Sequence, residues 1–270
     1  MPIYTTPDGV SVNYYDSETP GPVVLLQHGF SNELGQVLDV TPQMGIRLVA
    51  MELRGHGRSQ SGQPDFCTIS QSCLDLKILC HKLEISPDVI GGISLGAAIA
   101  LRLATLIECE HLVLARPALF DHQAPSNFAI FGAILDITTS KEKSEWRKCL
   151  EANPTFQKLK YESPATVDTY TKFLEHPRID DLHYWMYNLE SDWHGLSIEE
   201  MRNISAQTTI LAQRFDQLHP FSFAEALAKT IPAASLIELS PKTSDQSTYQ
   251  MEFQSALRTI FTSIQQRKAR

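Results

Sequence analysis

The chain has 270 residues, 43% hydrophobic and 20% charged, enough apolar material for a sizeable core and too much for disorder as the main state. With 23 Lys and Arg against 31 Asp and Glu, the formal charge is −8, the wrong sign for a broad nucleic-acid or anionic-membrane surface. No apolar run is long enough for a membrane span, and the opening Met1-Pro2-Ile3-Tyr4 lacks a basic, then apolar, leader, so neither a span nor a secretory signal is expected.

In chain order, Asp8-Gly9 between Ile3-Tyr4 and Val10–Tyr15 reads as a hairpin turn. Short apolar runs follow at 23–27, 46–51, 88–92, 111–115, 208–212 and 235–239, most of them nearly continuous, as in parallel strands buried on both faces. Helical periodicity fills 70–85, 95–107, 221–230 and 248–266. This alternation predicts an α/β protein with one open, mostly parallel sheet flanked by helices. The five cysteines are odd in number and show no C-x-x-C spacing, which suits a reduced, cytoplasmic protein. Cys73 and Cys80, one heptad apart, read as buried small apolar side chains. The basic tail from Gln265 to Arg270 reads as a solvated helix end.

The alternation breaks from about 122 to 203, where helical segments rich in large aromatics replace strands. This stretch is expected to form a helical insertion over the carboxyl edge of the sheet, where ligands of such sheets bind. Most of its rings would form its own core. Some of Phe128, Phe131, Tyr184, Trp185 and Tyr187 are expected to line an apolar substrate pocket.

The residues with chemical promise cluster after the strands. Gly92-Ile93-Ser94-Leu95-Gly96 lies between an apolar strand and a small-residue helix, the context a G-x-S-x-G turn requires to hold a serine hydroxyl in the open. After the 23–27 strand come His28-Gly29-Phe30. The Phe30 N–H, paired with that of Leu95, would form an oxyanion hole. His28 reads as a hydrogen-bonded support at the pocket edge and not as the base. Glu52-Leu53-Arg54-Gly55-His56-Gly57-Arg58-Ser59 reads as a structural loop tied by charged hydrogen bonds.

His28-Gly29-Phe30, the 54–59 run, the Ser94 elbow and Asp216 together resemble the α/β-hydrolase superfamily over nearly the whole chain. The resemblance implies Ser94 as nucleophile, Asp216 as the acid after the 208–212 strand, and 122–203 as a lid inserted into a core of 1–121 and 204–270. The family's histidine ordinarily follows the last strand. Here that loop reads Ser240-Pro241-Lys242-Thr243-Ser244-Asp245, and no histidine occurs after His219. His219, three residues after Asp216, is the nearest candidate base. Their short loop poses the question whether Asp216 can orient an imidazole that also reaches Ser94. His122, His176, His183 and His194 are further candidates, and Asp245 a carboxylate in the vacated loop.

No H-e-x-x-H-type zinc motif and no phosphate loop occurs, so no metal and no cofactor is implied. The expected activity is hydrolysis of a small or medium apolar ester, thioester or related acyl compound. The rivals are a lyase or cyclase using the same pocket, and a ligand-binding or scaffold protein that lost its base. The expected partner is a small-molecule substrate.

Overall fold

The computed structural model describes residues 1–119, 128–163, 166–189 and 191–269. Eight strands form one sheet: β1 (Ile3–Thr5), β2 (Ser11–Asp16), β3 (Val23–Gln27), β4 (Arg47–Met51), β5 (Val89–Ile93), β6 (His111–Ala115), β7 (Gln207–Gln213) and β8 (Ala234–Leu239). Their spatial order is β1-β2-β4-β3-β5-β6-β7-β8. β1 and β2 form the antiparallel hairpin expected around Asp8-Gly9, and β3 to β8 run parallel.

Side-chain alternation along the parallel strands feeds two cores. Val24, Leu26, Leu48 and Ala50 pack on the face covered by α1 (Leu34–Val40) and α11 (Gln246–Lys268). Leu25, Val49 and Met51 pack on the opposite face with α2 (Ile69–Lys82), α3 (Leu95–Leu103) and α10 (Phe221–Thr230). Burial on both faces is why these strands read as continuous apolar runs. β8 departs from that expectation. As the edge strand it has one neighbour, and Ile237 is exposed.

Cys73 and Cys80 lie on the buried face of α2, whose first turn is capped by the Thr68 hydroxyl accepting from the Gln71 N–H. Burial pushes both thiols up to about 12, which leaves them inert small apolar groups. The basic end of α11 sits where cations complement the helix dipole, with Arg267 paired to Glu110 and Lys268 to Asp88.

Between β6 and β7 the described chain is helical: α4 (Ala129–Ser140), α5 (Trp146–Ala152), α6 (Pro154–Glu162), α7 (Val167–Phe173), α8 (Ile179–Leu189) and α9 (Ile198–Arg202). The 52–59 run anchors this insertion. Arg54 is buried in a fork between Asp75 and Asp8, both at 2.7 Å, and its carbonyl accepts the Trp185 indole N–H at 2.8 Å. Arg178 donates to the carbonyls of Gly57 and Ser59, and Ser61 bonds to Asp181. That run is the structural loop its sequence suggested. Among the described residues, no helix is long and apolar enough to cross a membrane.

Candidate active site

Ser94 stands between β5 and α3 at the carboxyl edge of the sheet, with φ 57° and ψ −115°. This is a sparsely allowed conformation for a residue with a side chain, and such strain typically costs about 1–3 kcal/mol. The flanking glycines make the turn sterically feasible: a Cβ on Gly92 would overlap the Gly96 carbonyl oxygen, and one on Gly96 the carbonyl of Gln27. The Ser94 N–H donates to Ala115 O at 2.8 Å, tying the elbow to the end of β6.

β3 neighbours β5, so the loop after β3 lies beside the serine. A Cβ on Gly29 would stand 3.2 Å from that of Ser94, so only a bare backbone fits easily. The Gly29 N–H is occupied by Gln36 Oε1 at 2.7 Å. The N–H groups of Phe30 and Leu95 donate to no protein group among the described residues. Leu95 opens α3, where amides have no partner within the helix and the dipole favours negative charge.

Asp216 and His219 follow β7, which is separated from β5 by β6 alone. Phe215 takes φ 61° with its ring 82% exposed, turning the chain so that Asp216 points inward. Asp216 Oδ1 accepts the His219 backbone N–H at 3.2 Å, and Oδ2 accepts from the ring at Nδ1 at 2.8 Å. The same carboxylate therefore folds the loop and orients the imidazole. His219 Nε2 lies 2.8 Å from Ser94 Oγ, 125 residues away in sequence. The short loop thus permits both contacts, which answers the geometric difficulty raised by the sequence.

Electrostatics fix the proton positions. Burial opposes ionisation of Asp216, but His219, Arg116 and Gln213 outweigh it and hold the carboxyl well below its usual range. An ionised carboxylate only accepts, so Nδ1 carries the imidazole proton, and Nε2 accepts from the Ser94 hydroxyl. Burial lowers the His219 pKa, Asp216 opposes this, and the cations Arg116 and Lys242 add to the lowering. The imidazole is therefore neutral at pH 7, the state a general base requires.

A cavity of about 610 Å³ opens over Ser94. Phe128 and Phe131 line it, joined by Tyr170 and Phe173 from α7. The rings of Phe30, Phe131 and Phe173 meet at centroid distances of 5.2–5.5 Å, so α4 and α7 roof the loop after β3.

The remaining pocket expectations are corrected. Trp185 is fully buried and bonded to the Arg54 carbonyl, while Tyr184 packs half-buried against the core and Tyr187 is exposed, and none of the three lines the cavity. The reason is that α8 turns Trp185 to the anchoring loop and packs His183 on α4, and of its residues Leu189 alone reaches the cavity lining. His28 is also enclosed outside the cavity lining. It donates from Nδ1 to Gly29 O and accepts the Leu53 N–H at Nε2, and burial pushes its pKa down to about 4, so it is a neutral brace.

His183 bonds to Thr138, His194 accepts the Leu196 N–H, and His176 reaches the cavity but accepts the Arg178 N–H. None of these three rings bonds to Ser94. His122 lies outside the described residues. Asp245 caps α11 by accepting the Thr248 N–H.

Three cavity or support residues escaped the sequence reading. Arg116 follows β6 directly, Gln213 ends β7 and donates to Asp216 Oδ2 at 2.8 Å, and the Lys242 N–H donates to Gln213 Oε1 at 2.8 Å. Their signal was position: each stands at or just past the carboxyl end of a strand. Among the described residues no group of three His, Cys, Asp or Glu side chains is placed to hold a metal ion.

The chain is similar to known proteins over most of its length. It is 26% identical over 217 residues to the AB hydrolase superfamily protein YisY of Bacillus subtilis, covering 73% of this chain and 74% of that protein. An α/β hydrolase, MGS-M2, from a Medee basin deep-sea metagenome library superposes with a TM-score of 0.76 at 17% identity, covering 97% of both chains. The esterase EaEST from Exiguobacterium antarcticum does so with a TM-score of 0.73 at 16% identity, covering 96% of this chain and 98% of that one. The fold is that of the α/β hydrolases, and residues 18–172, more than half of the chain, match the family described as Serine aminopeptidase, S33, to which this protein belongs.

Proposed function

We propose that this protein is a serine hydrolase of small or medium acyl esters, with Ser94 as nucleophile, His219 as general base and Asp216 as its orienting acid. The observation that carries the reading is the unbroken chain from Asp216 Oδ2 through His219 to Ser94 Oγ, with both links at 2.8 Å. In acylation, Ser94 Oγ attacks the carbonyl carbon while its proton passes to His219 Nε2. The resulting oxyanion is held by the Phe30 and Leu95 N–H groups. Collapse expels the alkoxide, which takes the proton from Nε2. A water then repeats the sequence on the acyl-enzyme and releases the acid, restoring the serine. Placing the base on the β7 loop leaves the chemistry unchanged, because a triad is defined by geometry and roles.

A scaffold that had lost its base would have no reason to keep a neutral imidazole against a strained serine. Peptidase action at a free amino terminus is the alternative suggested by the family description. It fits less well, because the lining presents Arg116, Lys172 and Lys242 to an incoming ammonium. The test is an intact mass after incubation with a fluorophosphonate, alongside turnover of 4-nitrophenyl pentanoate. A single adduct that is lost in Ser94→Ala, together with ester turnover, is expected. An unlabelled protein that leaves the ester intact defeats the reading.

A further inference from the structure

The cavity over Ser94 carries an excess of positive charge in a protein whose formal charge is −8. Among the described lining residues, Arg116, Lys172 and Lys242 stand against the carboxylates of Asp168 and Asp216 alone. Asp216 is already committed to His219 and Gln213. Arg116 Nη1 stays 3.8 Å from Asp216 Oδ2, beyond hydrogen-bond length, and its Nε is buried with no partner. The guanidinium lies over the Tyr249 ring at 5.8 Å, which holds it in place without neutralising it.

Lys242 sits in the loop after β8, from which the family's histidine ordinarily reaches the serine. Its backbone N–H is fixed on Gln213, and its ammonium forms no ion pair among the described residues. Burial and the neighbouring Arg116 both disfavour its charge. Arg116 thus leans on a carboxylate that three hydrogen-bond donors already share, and Lys242 has only the unbonded attraction of Asp216 and Asp39. Partly buried charge with only such shared or distant counter-charge is costly, and an anion brought by a ligand would relieve it. The net −8 of the whole chain does not attract anions from a distance. The benefit therefore arises inside the cavity, within a Debye length of about 8 Å.

Resting on the ester-hydrolase reading above, we propose that the substrate is an ester bearing a carboxylate, and that Lys242 and Arg116 form the subsite that receives this carboxylate in the Ser94 cavity. Lys242 supplies the mobile point charge, and Arg116 a fixed planar donor with an unused N–H. Neither takes part in bond making. They decide which ester is held with its carbonyl against Ser94.

The test compares mono-4-nitrophenyl glutarate with 4-nitrophenyl pentanoate, which share a leaving group and a five-carbon acyl chain and differ in the terminal charge. At low ionic strength the glutarate ester is expected to show a kcat/KM higher by about tenfold or more, a gap that narrows as salt is added. Lys242→Met should shrink that ratio about tenfold, chiefly through KM for the glutarate ester, and Lys242→Arg should restore most of it. Equal or better turnover of the pentanoate ester by the wild type, or an unchanged ratio in Lys242→Met, overturns the anion subsite while the hydrolase reading stands. If neither ester is turned over and no fluorophosphonate adduct forms, the hydrolase reading fails by itself. The subsite is then judged by melting Ser94→Ala with free glutarate. A rise in Tm that disappears on adding Lys242→Met sustains the anion site, and no rise overturns it.

Discussion

For the proposed triad, replacing His219 with alanine is expected to separate catalysis from stability more cleanly than any other change in this site. In the wild type the Ser94 hydroxyl has His219 Nε2 as its hydrogen-bond acceptor, and the rings of His176, His183 and His194 bond to other groups. Loss of a triad base costs about 10⁴–10⁶ in kcat, or about 5–8 kcal/mol of transition-state stabilisation. The effect on folding should be small. Asp216 would keep Gln213 at one oxygen, the backbone N–H of residue 219 at the other, and Arg116 nearby, so no carboxylate is orphaned. The vacated space opens onto the cavity, where water can enter. Losing two side-chain hydrogen bonds from an imidazole whose burial is itself unfavourable leaves a net cost of about 1 kcal/mol. For a chain of this size that lowers Tm by about 2–4 °C. Initial rates with 4-nitrophenyl pentanoate and a thermal melt by circular dichroism measure both quantities, and added imidazole should return part of the rate. Full activity in His219→Ala alongside an inactive Ser94→Ala would refute the assignment and point to another base.

Three further outcomes follow from the geometry. Because burial and then the neighbouring cations hold the His219 imidazolium below its ordinary pKa of 6.5 against the pull of Asp216, the acid-limb midpoint of kcat/KM should lie below 6.5; Lys242→Met removes one like charge and should move that midpoint upward, and a wild-type midpoint above 6.5 contradicts the argument. Gly92→Ala, which drives a methyl into the Gly96 carbonyl, should cost about 3 kcal/mol or more in a urea melt, and a near-wild-type transition would show that the elbow can relax. Phe131→Ala should shift preference among esters of different acyl length, whereas Trp185→Ala should lose about 3–5 kcal/mol of stability and leave that preference alone; the reverse pattern would mean that α8, not α4, faces the substrate.

Much of this architecture was legible because local rules and the global fold agree. Continuous apolar runs such as Val23–Leu26 become strands buried on both faces, and Asp8-Gly9 closes a hairpin. The Ser94 turn is readable because its two glycines have a steric reason that any fold using that turn must meet. Thr208 and Thr209 lie in a buried strand although they are polar, and only the runs around them reveal it. The aromatics of 122–203 could be recognised as a group, but not sorted. Whether a ring on α4 or on α8 faces Ser94 depends on how the insertion docks, and the docking is decided by Arg54 and Arg178 contacts more than a hundred residues away in sequence.

The pairing of His219 with Ser94 belongs to the same class. Sequence placed a histidine three residues after Asp216 and left open whether one imidazole could touch both partners. That was decided by the left-handed turn at Phe215, by the single strand separating β7 from β5, and by a carboxylate that uses one oxygen for the backbone and the other for the ring. Local spacing determines what a segment can form. Which distant side chains then meet is set by the sheet order and by the packing that closes over it.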